Sequence, residues 1–346
     1  MARAKALTIY DLSRLAAVSI ATVSRAMNAA TRHRVAPETL NRITRLAERH
    51  GYTPSLAARQ LGGSAVKTLG VLLPQSPGVF FHHYYTQIMA GISDTLLETE
   101  YRFKLIMLRC DDRQWDRYDF RLGEAVEGLI VTHWHVFFSR ASVFERLRVP
   151  SVVINDPEQG VRALCVSGDH RMGGRLAAEH LLAQGHRDLV VLAGPASSSD
   201  SRLRIEGFRQ AVHASGTGAR VIVLEGGEFQ EVRARQVAEA FLSTGARVTG
   251  IFCCNDEMAL GTLAALQAKG VSCPDRCSVI GYDGDPRTAH ATPPLTTVRV
   301  PLYEIAREGA RRLVDHLQSR RPKGRLEGDV RVPVELVERA SVAPCS

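Results

Sequence analysis

Thr8–Asn28 reads TIYDLSRLAAVSIATVSRAMN, and its spacing predicts two short helices joined by a tight turn. Leu12, Leu15, Ala16, Val23 and Met27 carry the apolar periodicity of two helices packed on each other. Ala17–Val18 supplies a small, apolar turn. Ser19 stands where the second helix needs an N-cap, leaving the residues after it free to point outward. This is the helix-turn-helix pattern, whose second helix lies in the DNA major groove with its N-terminal residues over base edges.

Charge supports that reading. Residues 1–63 hold ten Lys/Arg and three Asp/Glu, a net +7, whereas the whole 346-residue chain carries only +8. A basic head on a nearly neutral body is the footprint of polyanion binding. Pro37 opens a third helix with Leu40, Ile43, Leu46 and Ala47 as its apolar stripe. After the breaker Gly51-Tyr52-Thr53-Pro54 comes Ser55–Leu61, closed by Gly62-Gly63-Ser64. A seven-residue helix of this kind is marginal in water by itself and is expected to order only on binding something.

From Leu69 the pattern changes to apolar strands alternating with amphipathic helices. The strand-like runs are Leu69–Leu73, Phe103–Leu108, Gly128–Thr132, Ser151–Ile154, Leu189–Gly194, Val221–Leu224, Gly250–Cys254 and Ser278–Tyr282. Such alternation predicts parallel sheets covered on both faces, split into two doubly wound halves with a cleft at the carboxyl ends of the strands. No apolar run is long enough to span a bilayer, and MARAKALTIYDL lacks a signal peptide's apolar stretch, so a cytoplasmic location and no membrane partner are expected. Seven cysteines, odd in number and irregular in spacing, read as buried or idle thiols in a reducing compartment.

The head, the hinge Gly51-Tyr52-x-Pro54-Ser55-x-x-Ala58-Arg59-x-Leu61 and a series of later landmarks together resemble LacI-type transcription repressors over nearly the whole chain. Those landmarks are Gly185-His186-Arg187, Arg204-x-x-Gly207-Phe208, Asn255–Gly261 (NDEMALG), Val279–Asp283 (VIGYD) and Pro294–Val298 (PLTTV). The resemblance implies an all-α headpiece (1–50), a hinge helix and linker (51–63), an α/β core (64–340) and a tail (341–346). The core is expected to resemble periplasmic binding proteins. Its first subdomain would comprise about 64–160 and 292–325, its second about 161–291 and 326–340, joined by three crossovers.

The resemblance also assigns residues. Ile20 and Ala21 fall at the base-selecting positions, where apolar side chains contact a thymine methyl but form no hydrogen bond. Arg25 is the remaining strong reader, able to bond a guanine O6 and N7. Thr8, Ser19, Thr22, Ser24, Asn28 and Arg34 fit phosphate-contacting positions. Ala57 and Ala58 allow close pairing of two hinge helices, and Leu61 matches the family's minor-groove leucine. A homodimer on palindromic double-stranded operator DNA follows. Arg204, Asn255 and Asp283 match effector-holding positions, with Asp169 a further one. Phe80, Tyr84, Tyr85 and Trp134 offer an aromatic floor. Arginine, amide and carboxylate suit a small-molecule effector such as a sugar, polyol or sugar acid.

The loops Pro77–Tyr85 (PGVFFHHYY) and Thr132–Phe138 (THWHVFF) depart from the family pattern and are where selectivity is expected. Their histidines read as cleft or surface residues rather than metal ligands, since no acidic or cysteine partner stands at suitable spacing. No catalytic residue, metal or cofactor is expected: no nucleotide-binding glycine loop or nucleophile elbow is present, so an enzyme is the weaker reading. A pure ligand-binding protein, a corepressor-dependent repressor and an activator remain open alternatives.

Overall fold

The computed structural model describes residues 8–27, 31–50, 52, 67–76, 78–108, 126–133, 149–155, 161–319 and 325–345. The contact pattern divides the chain into two units, Met1–Lys67 and Thr68–Ser346.

In the first unit, α1 (Ile9–Leu15), α2 (Ile20–Met27) and α3 (Pro37–Arg49) surround a small core of Leu12, Ala16, Val23, Ala26, Val35, Ile43 and Ala47. Leu15 departs from the expected core set and is 49% exposed, because α1 ends there and its side chain lies off the buried face. Ala17 adopts a left-handed φ of 50°, which its small side chain tolerates. Ser13 Oγ donates to Val18 O at 2.8 Å and closes the turn.

The second unit contains two six-stranded sheets. The first has the order β11-β5-β4-β3-β1-β2, formed by Gly328–Val332, Leu164–Gly168, Ser151–Ile154, Gly128–Val131, Thr68–Pro74 and Arg102–Leu108. All its pairings are parallel. The second sheet has the order β12-β10-β9-β8-β6-β7, formed by Glu335–Val337, Thr296–Arg299, Ser278–Asp283, Gly250–Cys253, Asp188–Leu192 and Arg220–Leu224. Only β12 runs antiparallel there. The central strands are buried along their length, as parallel sheets covered on both faces require. Helices α4 (His83–Leu97) and α9 (Leu302–Gln318) pack together in the first subdomain. In the second, α5 (His170–Ala183) pairs with α6 (Ser199–Ala214), and α7 (Glu231–Ser243) with α8 (Asp256–Ala268).

The expected subdomain boundaries shift. Leu164–Gly168 and Gly328–Val332 belong to the first sheet, and Thr296–Arg299 to the second. The chain therefore crosses at Asp169, at Val300–Pro301 and at Pro333–Val334. Residues 341–345 are not a loose tail. Ser341 is fully buried, donates to Val279 O at 2.6 Å and accepts from Thr296 N at 2.8 Å. Cys345 N bonds Gln184 O at 2.7 Å. Cys165, Cys253, Cys254 and Cys277 are buried free thiols.

The α5–α6 pair is drawn together by glycine. A Cβ on Gly207 would collide with the Arg171 carbonyl, and one on Gly174 with the Arg204 carbonyl. Gly207→Ala is expected to cost roughly 1–3 kcal/mol by overpacking. Urea unfolding should show a lower midpoint at unchanged slope, and an unaltered midpoint would contradict this packing.

Candidate functional site

Two places carry chemistry. The first is the outer face of α2. Ser19 caps it, accepting from Thr22 N at 3.2 Å and lying 2.9 Å from Thr22 Oγ1. Val23 and Ala26 are buried, which turns Ile20, Ala21 and Arg25 outward; Ile20 is 41% exposed although apolar. Thr22 and Ser24 are half-buried on the flanks, and Arg34 is exposed in the turn Arg32–Arg34. Thr8 caps α1 in a reciprocal box with Asp11. Asn28, Ala57, Ala58 and Leu61 lie outside the described residues.

The second is a cavity of about 290 Å³ inside the larger unit. It opens where strands of both sheets end, the usual ligand position in open α/β folds. The first subdomain contributes Ser76, His82–Tyr85 and His133; the second contributes residues around Asp200, Arg204, Phe229, Asn255 and Asp283. Arg204, Asn255, Asp283 and Tyr84 are thus brought together as expected from the sequence. Asp169 is not. It caps α5, its Oδ1 accepting Met172 N at 2.9 Å, and it borders a separate groove. The acid that follows β5 terminates the strand and starts the helix instead of facing the cavity. Phe80 is 45% exposed and does not line the cavity, and Trp134 lies outside the described residues.

Arg204 is 5% exposed and forms the floor. Its Nη1 donates to Cys254 O, its Nε to His170 Nδ1 at 3.4 Å, and its Cζ lies 3.9 Å from the Tyr282 ring centroid. Asp283 and Asp200 stand 3.7 and 4.0 Å away. A guanidinium N–H can only donate, so His170 Nδ1 accepts and the ring proton sits on Nε2, 3.1 Å from Asp200. Burial pushes the His170 pKa down, consistent with a neutral ring. Burial opposes ionisation of Asp200, yet His170 and Arg204 outweigh it and hold this carboxyl far below its ordinary range. Asp283 goes the other way: burial raises it well above its ordinary value despite Arg204. Asp256, buried and fed by Thr297 Oγ1 at 2.6 Å and Asp285 N at 2.7 Å, is pushed up to about 7, again by burial.

The lining is also conformationally unusual. Glu228, Phe229 and Asp283 have φ of 52°, 56° and 113°, where side-chain-bearing residues are rare. Such strain tends to collect at ligand-binding positions. Asn255 caps α8 through Met258 N at 2.9 Å and holds Phe229 O through its Nδ2 at 3.3 Å. On the opposite wall Tyr84 stacks on His133 with centroids 4.3 Å apart, and Tyr85 Oη lies 2.9 Å from His133 Nδ1.

The sequence did not single out Asp200, Glu228, Phe229, Glu257 or Asp285. Asp200 and Glu257 sit in first helical turns, where an acid is expected to face solvent and the helix dipole. The available signal for Asp200 was its i,i+4 spacing to Arg204. His82, His83 and His133 do line the cleft, as read for those two loops. His82 reaches from the first subdomain to the second: its Nδ1 lies 2.8 Å from Glu257 Oε1. Arg287 stands 3.7 Å from the same oxygen. Among the described residues no group of three His, Cys, Asp or Glu is arranged to hold a metal ion, and no helix is long and apolar enough to cross a membrane.

Two family descriptions match: bacterial regulatory proteins of the lacI family over residues 8–55, and the periplasmic binding protein-like domain over 178–342. The HTH-type transcriptional repressor PurR of Vibrio cholerae serotype O1 (strain M66-2) is 30% identical over 342 residues, covering 97% of this chain and 98% of that protein. The Lac repressor dimer bound to operator and the anti-inducer ONPF superposes with a TM-score of 0.79 at 26% identity, covering 98% of this chain and 100% of that one. A LacI family transcriptional regulator from Enterococcus faecium with bound ribose gives 0.69 at 28% identity, covering 81% and 100%. The chain belongs to the lacI family: it is a DNA-binding transcriptional repressor with a ligand-binding core, not an enzyme.

The bond to Glu257 raises His82 above its ordinary 6.5, with burial pulling it down less strongly. The His82–Glu257 attraction is therefore fully present below about pH 6.5 and fades as pH climbs through the higher folded value. An NMR titration should give His82 a higher midpoint in the native chain than in Glu257→Gln. Equal midpoints would show that no such attraction joins the two walls.

Proposed function

We propose that the chain acts in the cytoplasm as a homodimer on a palindromic operator, and that a sugar-class effector in the cavity controls it. The observation that carries this is the convergence of Arg204, Asn255, Asp283 and Tyr84 on one cavity at the strand ends of both sheets. The ribose seen in the Enterococcus faecium relative supports the chemical class. Effector binding changes how the two subdomains sit on each other, and with it the pairing of hinge segments carrying Ala57, Ala58 and Leu61.

On DNA, Ile20, Ala21 and Arg25 read bases, the first two by apolar contact. Thr8, Ser19, Thr22, Ser24, Asn28 and Arg34 set register on phosphates. The outward, exposed positions of Ile20, Ala21, Arg25 and Arg34 support this division.

The effector half is tested by thermal shift against sugars and polyols. A ligand at a hundred times its dissociation constant adds about 2.7 kcal/mol to stability. The shift should disappear in Asp283→Ala; a shift that survives would place the ligand elsewhere. The DNA half is tested by paired variants. Arg25→Ala should relax sequence preference by about 1–3 kcal/mol at one base pair, whereas Arg34→Ala should weaken all sequences alike and flatten the salt slope. Identical losses on operator and random DNA for both variants would refute the separation of roles.

A further inference from the structure

We infer that the ligand of this cavity carries a positively charged nitrogen beside its hydroxyl groups, as an amino sugar does, and that carboxylated and phosphorylated sugars are shut out. The inference rests on reading the cavity as the effector site, and it narrows a choice between sugar, polyol and sugar acid that the sequence leaves open.

Among the described residues the lining holds six carboxyls, Asp200, Glu228, Asp256, Glu257, Asp283 and Asp285, but a single guanidinium. That guanidinium offers little to an anion. Arg204 already donates to Cys254 O and His170 Nδ1, is stacked on Tyr282, and lies between Asp200 and Asp283. One positive charge is shared by two carboxyls there. Arg287 answers Asp285 through Nε and Nη2, both on Oδ2, and His82 answers Glu257. Glu228 and Asp256 form no ion pair with any cation among the described residues.

Helix N-termini, the other common anion sites, are also closed to anions. Those of α6 and α8 reach the cavity, but each is already capped, by Ser198 and Asn255, and each carries acid in its first turn. Asp200 stands in the first, Asp256 and Glu257 in the second. An incoming carboxylate or phosphate would meet negative charge at both ends and give up its hydration without replacement.

A cation meets the opposite situation. Glu228 and Phe229 are adjacent lining residues in left-handed backbone; the Phe229 ring already faces the Arg204 guanidinium at 5.8 Å, so it is the Glu228 carboxylate that is placed to receive an ammonium group. Asp283 stands across the floor, its side chain 19% exposed and its nearest cation 3.7 Å away. Burial raises its pKa most, and the neighbouring Asp256, Glu257 and Asp200 add to the rise. The stacked Tyr84–His133 pair supplies a flat wall for a ring, while Gln230 adds an acceptor for hydroxyls.

The test is calorimetric titration of the full chain with matched sets. Each set holds a neutral hexose, its 2-amino derivative, its uronate and its 6-phosphate, in the gluco, galacto and manno series. The amine should bind its preferred series about tenfold or more tighter than the neutral parent, the gain of one charge-assisted hydrogen bond. The anionic members should not bind. Asp283→Asn and Glu228→Gln should each lower amine affinity more than parent affinity, narrowing the ratio toward one. Glu228 is exposed, so its variant keeps the fold, and an unliganded melting curve checks both. A neutral parent as tight as its amine, or an anionic member that binds best, would overturn the charge inference and leave the cavity as a sugar site. Silence from every set would overturn the sugar reading together with it.

Discussion

The core of this molecule is organised around one buried cation. Moving a guanidinium out of water is costly unless it is paired and hydrogen-bonded on several sides. Arg204 meets that requirement by gathering partners from four elements: the carbonyl just after β8, the ring and carboxyl that end β9, the first residue of α5 and Asp200 on its own helix α6. Each partner is fixed in turn. Asp200 stays ionised because Arg204 and His170 outweigh its burial, and His170 is held in one tautomer. The arrangement makes the floor of the cavity a consequence of packing in the second subdomain.

The strand ends of the second sheet therefore present a shaped, charged surface, and the first subdomain supplies a different kind of wall. Tyr84, Tyr85 and His133 offer rings held by their own hydrogen bonds, Tyr84 Oη donating to Thr132 O at 2.5 Å. One wall holds charges, the other flat faces. His82 crosses between them to Glu257. The glycines that let α5 and α6 touch backbone to backbone serve the same end, since Arg204 and Asp200 both lie on α6, the helix they seat against α5.

Much of this was legible in the sequence. The headpiece was, because its cues are short-range: a capping serine, apolar residues at helical spacing and an opening proline. Leu15 misled because spacing alone does not reveal that a helix stops at that residue. The long apolar strands were equally plain. Strand β5 was not, its short run ending in Ser167-Gly168, nor were β10, β11 and β12, which are three to five residues long and rich in Thr, Arg, Asp and Glu. Strand β11 joins the first sheet by pairing with β5 across more than a hundred residues, and no local pattern carries that. At the site, Arg204, Asn255 and Asp283 came from motif position. Asp169 looked equivalent because an acid at a strand end serves either a ligand or a helix cap, and here the cap wins. Asp200 and Glu257 went unread because first-turn acids ordinarily face solvent.

The strand order has a bearing on how the chain acquires its structure. Each sheet is finished by a strand from the far end: β11 closes the edge of one beside β5, and β12 the edge of the other beside β10. The headpiece uses contacts within fifty residues and can form early in synthesis. The sensing core cannot complete either half until the last of these strands has emerged. On the ribosome, then, the helix-turn-helix can be folded before the ligand-binding core is complete, and the interval between them is set by the time taken to make the remaining chain.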